Sequence, residues 1–396
     1  MADSFRKIGD YISVIDNRNS DGSITNLLGL SIEKCYIPSV ANVIGTDLNK
    51  YKVIRKGQFA CSLMQVSRDQ KIPIALYNDE KPAIMSPAYE MFEVSRPDEL
   101  LPEYMELWFK RAEFDREASF YAVGGVRGSL DWDDFCRMEL PVPPLPEQRK
   151  IVHDYQVITD RIELLRKINE NLIAQICMKY QMMLGRLTEE NDEDELPPGW
   201  SIGGIGSYCD LKSGYAFKSE WWTDRGYKVI KIANITGNTI DLDSCDCVTE
   251  EHASLAKLFF CNPGDIFIAL TGATTGKIGI LPFCKDKVVV NQRVGKFFLG
   301  QEPLKKAPFL FATLLSPRLT RRLQPGGMAG SAQDNLSPDD IKNMAVLKPD
   351  AQTIENFNEQ NRNIIENLMT NLSELRLLKG FSVLLLSRMT LLSRGA

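Results

Sequence analysis

Gly272-Ala-Thr-Thr-Gly-Lys277 has the makings of a phosphate cradle, two glycines leading to a lysine. A nucleotide-binding P-loop spaces its glycines by four residues and follows Lys with Ser or Thr, whose hydroxyl reaches magnesium. Here the spacing is three and Ile278 follows, so nucleotide hydrolysis is disfavoured. Gly204-Ile-Gly206 lacks the third glycine of a dinucleotide fingerprint. His153 and His252 are the only histidines, and neither sits in an HExxH arrangement, so a histidine-built metal site is not expected. Cys245 and Cys247 have no second pair at zinc-finger spacing and read as free thiols. There is no Asn-Pro-Pro-aromatic segment for holding a target base, and no Gly-x-Ser-x-Gly or Cys–His spacing for acyl transfer. These absences predict a chain without catalysis, cofactor or metal of its own.

Several residues suit a polyanion instead. Lys212, Ser213, Tyr215 and Lys218 lie in one short stretch. Lys231 and Asn234 follow, then Thr271, Thr274, Thr275 and Lys277, then Gln292 and Arg293. Lys and Arg neutralise phosphates, Gly-rich backbone approaches them closely, and Asn, Gln and Arg can read base edges. An earlier segment offers a thinner set: Gln65, Arg68, Lys71, and Arg127 and Ser129 in the loop Gly124-Gly-Val-Arg-Gly-Ser129. Taken singly, each also fits an ordinary turn or a solvated surface.

The elements that must hold these residues occur twice. Ser129-Leu-Asp-Trp-Asp-Asp-Phe-Cys-Arg-Met-Glu-Leu-Pro-Val-Pro-Pro144 aligns with Asn335-Leu-Ser-Pro-Asp-Asp-Ile-Lys-Asn-Met-Ala-Val-Leu-Lys-Pro-Asp350. Gly124-Gly125 precede one copy and Gly326-Gly327 the other. Upstream, Val53–Phe59 resembles Phe259–Phe267, and both read as strand, Gly turn, strand. After each aligned block comes a heptad-like run. Ile151, Ile158, Ile162 and Leu172 are in phase with Phe357, Ile364, Leu368 and Leu378, and Asn169, Asn361 and Asn371 interrupt the apolar positions. Sustained 3.5-residue spacing predicts a narrow seam between paired helices. Each helix, at about 36 residues and 1.5 Å per residue, reaches roughly 54 Å.

The resulting plan is a globular domain over 1–146, a long helix over 147–190, an acidic and Pro-Gly linker over 191–199, a second domain over 200–349 and a second helix over 350–396. Strand-like runs (Val229–Ala233, Asp265–Leu270, Lys287–Val290) beside helical ones (Glu103–Lys110, Pro308–Leu315) make both domains α+β.

The 396 residues, 44% apolar and 25% charged, suit two or three soluble domains. Net charge is −5, yet residues 197–349 carry 18 basic against 14 acidic groups. No apolar run reaches the roughly 18–20 residues of a bilayer span. Nine scattered cysteines and a start without a signal-peptide core predict a cytoplasmic protein.

Leu140-Pro-Val-Pro-Pro-Leu-Pro-Glu-Gln-Arg-Lys-Ile-Val152 resembles the passage from recognition domain into long helix in specificity subunits of type I restriction–modification systems. Gly264–Gly279, Asn291–Gly295 and the opening Leu196-Pro-Pro-Gly-Trp200 are similar to the same family. Pro349-Asp-Ala-Gln-Thr-Ile-Glu355, at the entry of the second helix, departs from the Pro-Leu-Pro-Glu-Gln pattern. The resemblance implies two target-recognition domains, each reading one half of an asymmetric bipartite sequence in double-stranded DNA. It also implies two long helices packed as an antiparallel coiled coil that sets the spacer. The helices would dock two modification subunits, which carry the methyl donor and, through them, restriction subunits join with their nucleotide. A competing reading from the residues alone is a scaffold whose paired domains bind proteins.

Overall fold

The computed structural model describes residues 5–39, 46–64, 66–123, 128–324 and 335–392. The chain forms two units, one of Met1–Arg161 with Leu378–Ala396, the other of Ile162–Leu377. Both unit boundaries fall inside the long helices.

In the first unit, strand Phe5–Lys7 pairs antiparallel with Glu139–Pro141. A 3-10 turn, Ile8–Tyr11, follows at once, held by the Ile8 amide donating to Met138 O at 2.8 Å. One four-stranded sheet then runs in the order Ile12–Val14, Glu90–Val94, Gln58–Cys61, Ile74–Leu76, antiparallel throughout. A second sheet orders Tyr36–Pro38, Leu27–Leu30, Ala83–Met85 and Lys52–Ile54, with the middle pair parallel. Helices Pro102–Phe109, Ala112–Tyr121 and Trp132–Arg137 complete the domain. Its core is aromatic: Phe59 stacks on Phe92 at 5.0 Å, and Phe109, Phe114 and Phe135 close around them. Aromatic pairs of this kind add about 0.5–1.5 kcal/mol each beyond area burial.

The second unit repeats the scheme. Ser201–Gly204 pairs with Ala345–Lys348, the turn Ile205–Ser207 follows, and the Ile205 amide donates to Met344 O at 3.2 Å. The main sheet orders Asp210–Ser213, Val294–Phe298, Ile266–Ala269 and Ile278–Ile280, then continues into Thr239–Ile240 and Ile235–Thr236. The second sheet orders Trp222–Thr223, Asp246–Val248, Tyr227–Ile230 and Val288–Val290, its last pair parallel. Helices Ala307–Leu314, Pro317–Leu323 and Pro338–Lys342 match the three of the first unit. The glycine turn is duplicated too. Gly57 (φ +86°) donates to Tyr77 O and Gly264 (φ +89°) to Leu281 O, each at 2.9 Å, and this left-handed backbone favours glycine. One expectation fails here. Phe259 ends a 3-10 turn, Lys257–Phe259, and is no strand; only the Cys261 amide, on Val288 O, keeps a trace of the first unit's extra pairing.

The long helices span Leu145–Leu184 and Ala351–Leu392, against expected bounds of 147–190 and 350–396. The first stops six residues early because Gly185 takes φ +63°, a left-handed helix end. A short 3-10 turn, Glu193–Glu195, lies in the linker. Within the second unit the helices run antiparallel: Asn371 Nδ2 donates to Asn169 Oδ1 at 2.9 Å, and further on Tyr180 meets Phe357 edge-on at 6.1 Å. Phe357, Ile364 and Leu368 are buried there, with Leu172 packed against them and Ile162 half-buried; Leu378, which belongs to the first unit, is half-buried too. In the first unit Ile151 joins Leu386 and Met389 in the domain core, and Ile158 is half-buried.

Candidate nucleic-acid interface

The register of the second unit's main sheet brings the loops of four neighbouring strands to one end. Strand Asp210–Ser213 finishes there, and the Gly214 amide donates to Val294 O at 3.0 Å. Next to it Gln292 and Arg293 lead into Val294–Phe298. Leu270, the residue after strand Ile266–Ala269, donates its amide to Arg293 O at 3.0 Å, and the Ala269 amide donates to Lys277 O at 2.9 Å. Ser213, Tyr215, Thr271, Thr274, Lys277, Gln292 and Arg293 therefore share one edge. Lys231 joins from the second sheet, because Ile230 O accepts from the Asn291 amide and Tyr215 bridges to Asn291. A side chain at Gly214 would put Cβ 2.3 Å from Val290 O, so only glycine lets the strands close this tightly.

Lys277 and Arg293 are exposed and have no carboxylate within ion-pair distance among the described residues. Gln292 is exposed beside them. Lys231 is more constrained: it pairs with Asp246 and lies 3.7 Å from the Trp222 ring centroid. The hydroxyls of Thr271 and Thr274 are shielded from solvent without a hydrogen-bond partner in this structure, a rare condition for polar atoms. Beside the loop, a groove of about 470 Å³ is lined by Thr275, Lys277, Thr320 and Gln324 among others.

Other expected residues serve the fold. Asn234 is buried; its Oδ1 accepts from the Lys231 amide at 2.7 Å and its Nδ2 donates to Ser244 Oγ at 2.9 Å, so it fastens a turn. Thr275 is buried and donates to Gly272 O at 2.6 Å. Gly276, at φ +82°, would bring a Cβ 2.2 Å from Leu323 O. Gly276 thus seats the loop on the end of helix Pro317–Leu323, and Gly272 takes a left-handed φ of +80°, so backbone geometry accounts for the P-loop-like spacing without a phosphate. Lys212 stands back along its strand, paired with Asp210 at 3.3 Å, and Lys218 lies near Trp221 and Glu220. His252 stacks on Trp221 at 4.4 Å. Cys245 and Cys247 are free, and burial pushes the Cys245 thiol up to about 12. Among the described residues no cluster of His, Cys, Asp or Glu could hold a metal.

The first unit presents the corresponding edge differently. Ser62 donates to Pro73 O and Leu130 to Leu63 O, as Ala269 does to Lys277 O and Leu336 to Leu270 O. Loop 64–72 is therefore the counterpart of 271–276. Arg68 is paired with Asp69 at 2.7 Å and Lys71 with Glu33 at 2.8 Å. Ser129 is half-buried next to Gly128, which abuts Ser67. Gln65 and Arg127 lie outside the described residues.

Sequence reasoning missed two anchors. Buried Gln148 accepts from the Leu101 amide at 2.9 Å and donates to Glu99 O and Pro143 O, each at 2.7 Å. It fixes the first long helix to the start of helix Pro102–Phe109. Asn358 does the matching task in the second unit, accepting from the Phe309 amide at 2.9 Å and donating to the Tyr208 hydroxyl at 3.2 Å. Buried Lys–Asp pairs also brace each domain: Lys34–Asp115 at 2.7 Å and Lys296–Asp265 at 2.8 Å. Burial pushes the Lys34 ammonium down and the Asp265 carboxyl up, each opposed by its partner.

Each unit thus holds an α+β domain clasped to a long helix, and the second unit gathers exposed cations at one end of its main sheet. Residues 197–377 match the type I restriction modification DNA specificity domain. Over this segment, a little under half of its length, the chain is similar to the specificity subunits of type I restriction–modification systems. It is 28% identical over 204 residues to the type I restriction enzyme MjaVIII specificity subunit of Methanocaldococcus jannaschii, covering 49% of this chain and 48% of that one. It is 30% identical over 141 residues to the EcoAI specificity subunit of Escherichia coli, covering 34% and 24%. The match thus spans about half the length of the first relative and less of the second. The fold is similar to the type I restriction–modification S subunit from M. genitalium, with a TM-score of 0.55, 15% identity and coverage of 97% and 95%.

Proposed function

We propose that this chain is the non-catalytic DNA-reading subunit of a type I restriction–modification complex. Each domain, over 1–146 and 200–349, reads one half of an asymmetric bipartite target in double-stranded DNA. The observation that carries this is the sheet edge where unpaired Lys277 and Arg293 stand with Gln292, Tyr215 and Ser213, inside the segment matched to the specificity domain. Cations there neutralise phosphates, and Gln292 and Arg293 have the donors for base edges. The long helices act as spacer and as the docking surface for two modification subunits, which supply the methyl donor; restriction subunits and their nucleotide join through these. Such a complex works in the cytoplasm. Among the described residues, no helix is long and apolar enough to cross a membrane.

Assembled with its modification subunits, the chain is expected to protect one asymmetric bipartite sequence against a matched nuclease. Binding that ignores sequence at moderate salt would refute the proposal. The spacer role has its own test. One extra turn in both helices, four residues after Leu172 and four after Leu368, is expected to lengthen the unspecified gap between half-sites; altered half-sites would count against it.

A further inference from the structure

In the second unit, the apolar core that seats the long helix takes in the main sheet through Ile354, Phe357, Ile364 and Leu368. Among the described residues, the two clusters that pack the second sheet contain none from that helix. The second sheet is tied to the helix by polar contacts instead. Arg376 Nε donates to Asp243 Oδ1 at 2.7 Å, and its Nη1 donates to Asp286 Oδ2. About one turn earlier, Ser373 Oγ donates to Phe283 O at 2.7 Å. A planar guanidinium held by two carboxylates fixes direction as well as contact. At the aligned positions of the first long helix stand Lys167 and Glu170, so the clamp is not a remnant of the duplication.

Asp243 lies in the loop that leads into strand Asp246–Val248, and the same loop is wired to the candidate DNA edge. Asn234 Nδ2 donates to Ser244 Oγ at 2.9 Å, and the Asp241 amide donates to Asn234 O at 2.8 Å. Asp246 pairs with Lys231, whose amide donates to Asn234 Oδ1 at 2.7 Å. Segment 241–246 therefore touches the helix through Asp243 and the Lys231 turn through Asp241, Ser244 and Asp246. We infer that this segment is a brace and Arg376 a positioning residue: through Asp243, the helix holds the Lys231 turn where it meets DNA. Groups joined in one network of hydrogen bonds and ion pairs respond together, not singly. The inference rests on the DNA-reading proposal above.

The test uses the full chain assembled with its modification subunits, on the target defined by methylome sequencing. Arg376→Gln and Asp243→Asn remove opposite charges. Charge alone would make Asp243→Asn bind DNA more tightly, whereas the brace predicts that both variants weaken binding, each about threefold. In double-mutant cycles, Arg376→Gln should add little to Lys231→Ala yet act in full on Lys277→Ala, whose lysine leads into the main sheet. Without DNA, amide exchange at Asn234 and Asp241 should rise in both single variants and stay unchanged over 357–368. Unaltered thermal unfolding checks that each fold is intact. If Arg376→Gln adds in full to Lys231→Ala, or the two single variants shift affinity in opposite directions, the brace is overturned and DNA reading stands. If the parent complex itself ignores sequence, the DNA-reading proposal falls, and the brace is decided by amide exchange: no rise at Asn234 and Asp241 refutes it.

Discussion

The two long helices leave their domains by different means. The first begins at Leu145 and is held by Gln148, whose amide is fully buried and serves three backbone groups. At the aligned position the second has Ile354, an apolar residue that packs into the core. Its start is secured instead by Asp350, which accepts from the Thr353 amide at 3.0 Å and the Thr353 hydroxyl at 2.6 Å, and one turn further by Asn358. A helix start needs its free amides satisfied and its direction fixed, and either an internal amide or an end cap suffices. The same division runs through the loops at the sheet end, where one copy has paired cations, Arg68 and Lys71, and the other has unpaired Lys277 and Arg293 beside Gln292. Backbone geometry is shared while side-chain chemistry diverges, which agrees with the proposal that the two domains read different half-sites.

The comparison can be broken at the helix starts first. Gln148→Leu strands three buried backbone groups and is expected to cost about 3 kcal/mol or more, read by denaturant unfolding. Asn358→Leu strands chiefly the Phe309 amide and should cost about 1–2 kcal/mol. Equal losses would show that the second helix depends on its amide as heavily as the first. At the proposed DNA-contacting edge, Lys277→Ala should lower the slope of log DNA affinity against log salt by about 0.9. Lys71→Ala, already paired with Glu33, should change it by less, and the reverse order would overturn the contrast between the two edges. The smallest effect concerns pH. Hydrogen bonds from Thr353 hold the Asp350 carboxyl below the usual carboxylate range. Its stabilising share is therefore complete above the unfolded carboxylate pKa and lost as pH falls through the lowered folded value. Gln148 does not titrate. On acidification, amide exchange over 351–356 should rise before that over 145–150, and Asp350→Asn should remove the difference.

Much of this architecture was legible in the residues. The repeat from Ser129 to Pro144 and from Asn335 to Asp350 spans a capped helix, Trp132–Arg137 or Pro338–Lys342, and the strand leading to each long helix. Local turn and cap chemistry is written in short spacings, so it survives as readable similarity. Gln148 lay inside the recognised Pro-Leu-Pro-Glu-Gln segment, yet its partners at Glu99 and Leu101 are reached only through the fold. Asn234 and Thr275 looked like binding residues because a polar side chain that fastens a turn and one that meets a ligand have the same composition. Loss of the strand at Phe259 follows from Ala256 and Lys257 coiling into a 3-10 turn, an outcome that apolar pattern alone does not separate from extension. The exposure of Phe120 was not legible because an apolar residue at a helix end reads as core.

The pairing of Phe5–Lys7 with Glu139–Pro141, and of Ser201–Gly204 with Ala345–Lys348, makes the entrance and exit of each domain neighbours. A polypeptide stitched this way behaves as a cassette. Genetic exchange that cuts at the two adjoining ends can replace everything between them without asking the remainder to refold, so, on the proposed role, shuffling whole inserts would change sequence preference as readily as point mutation.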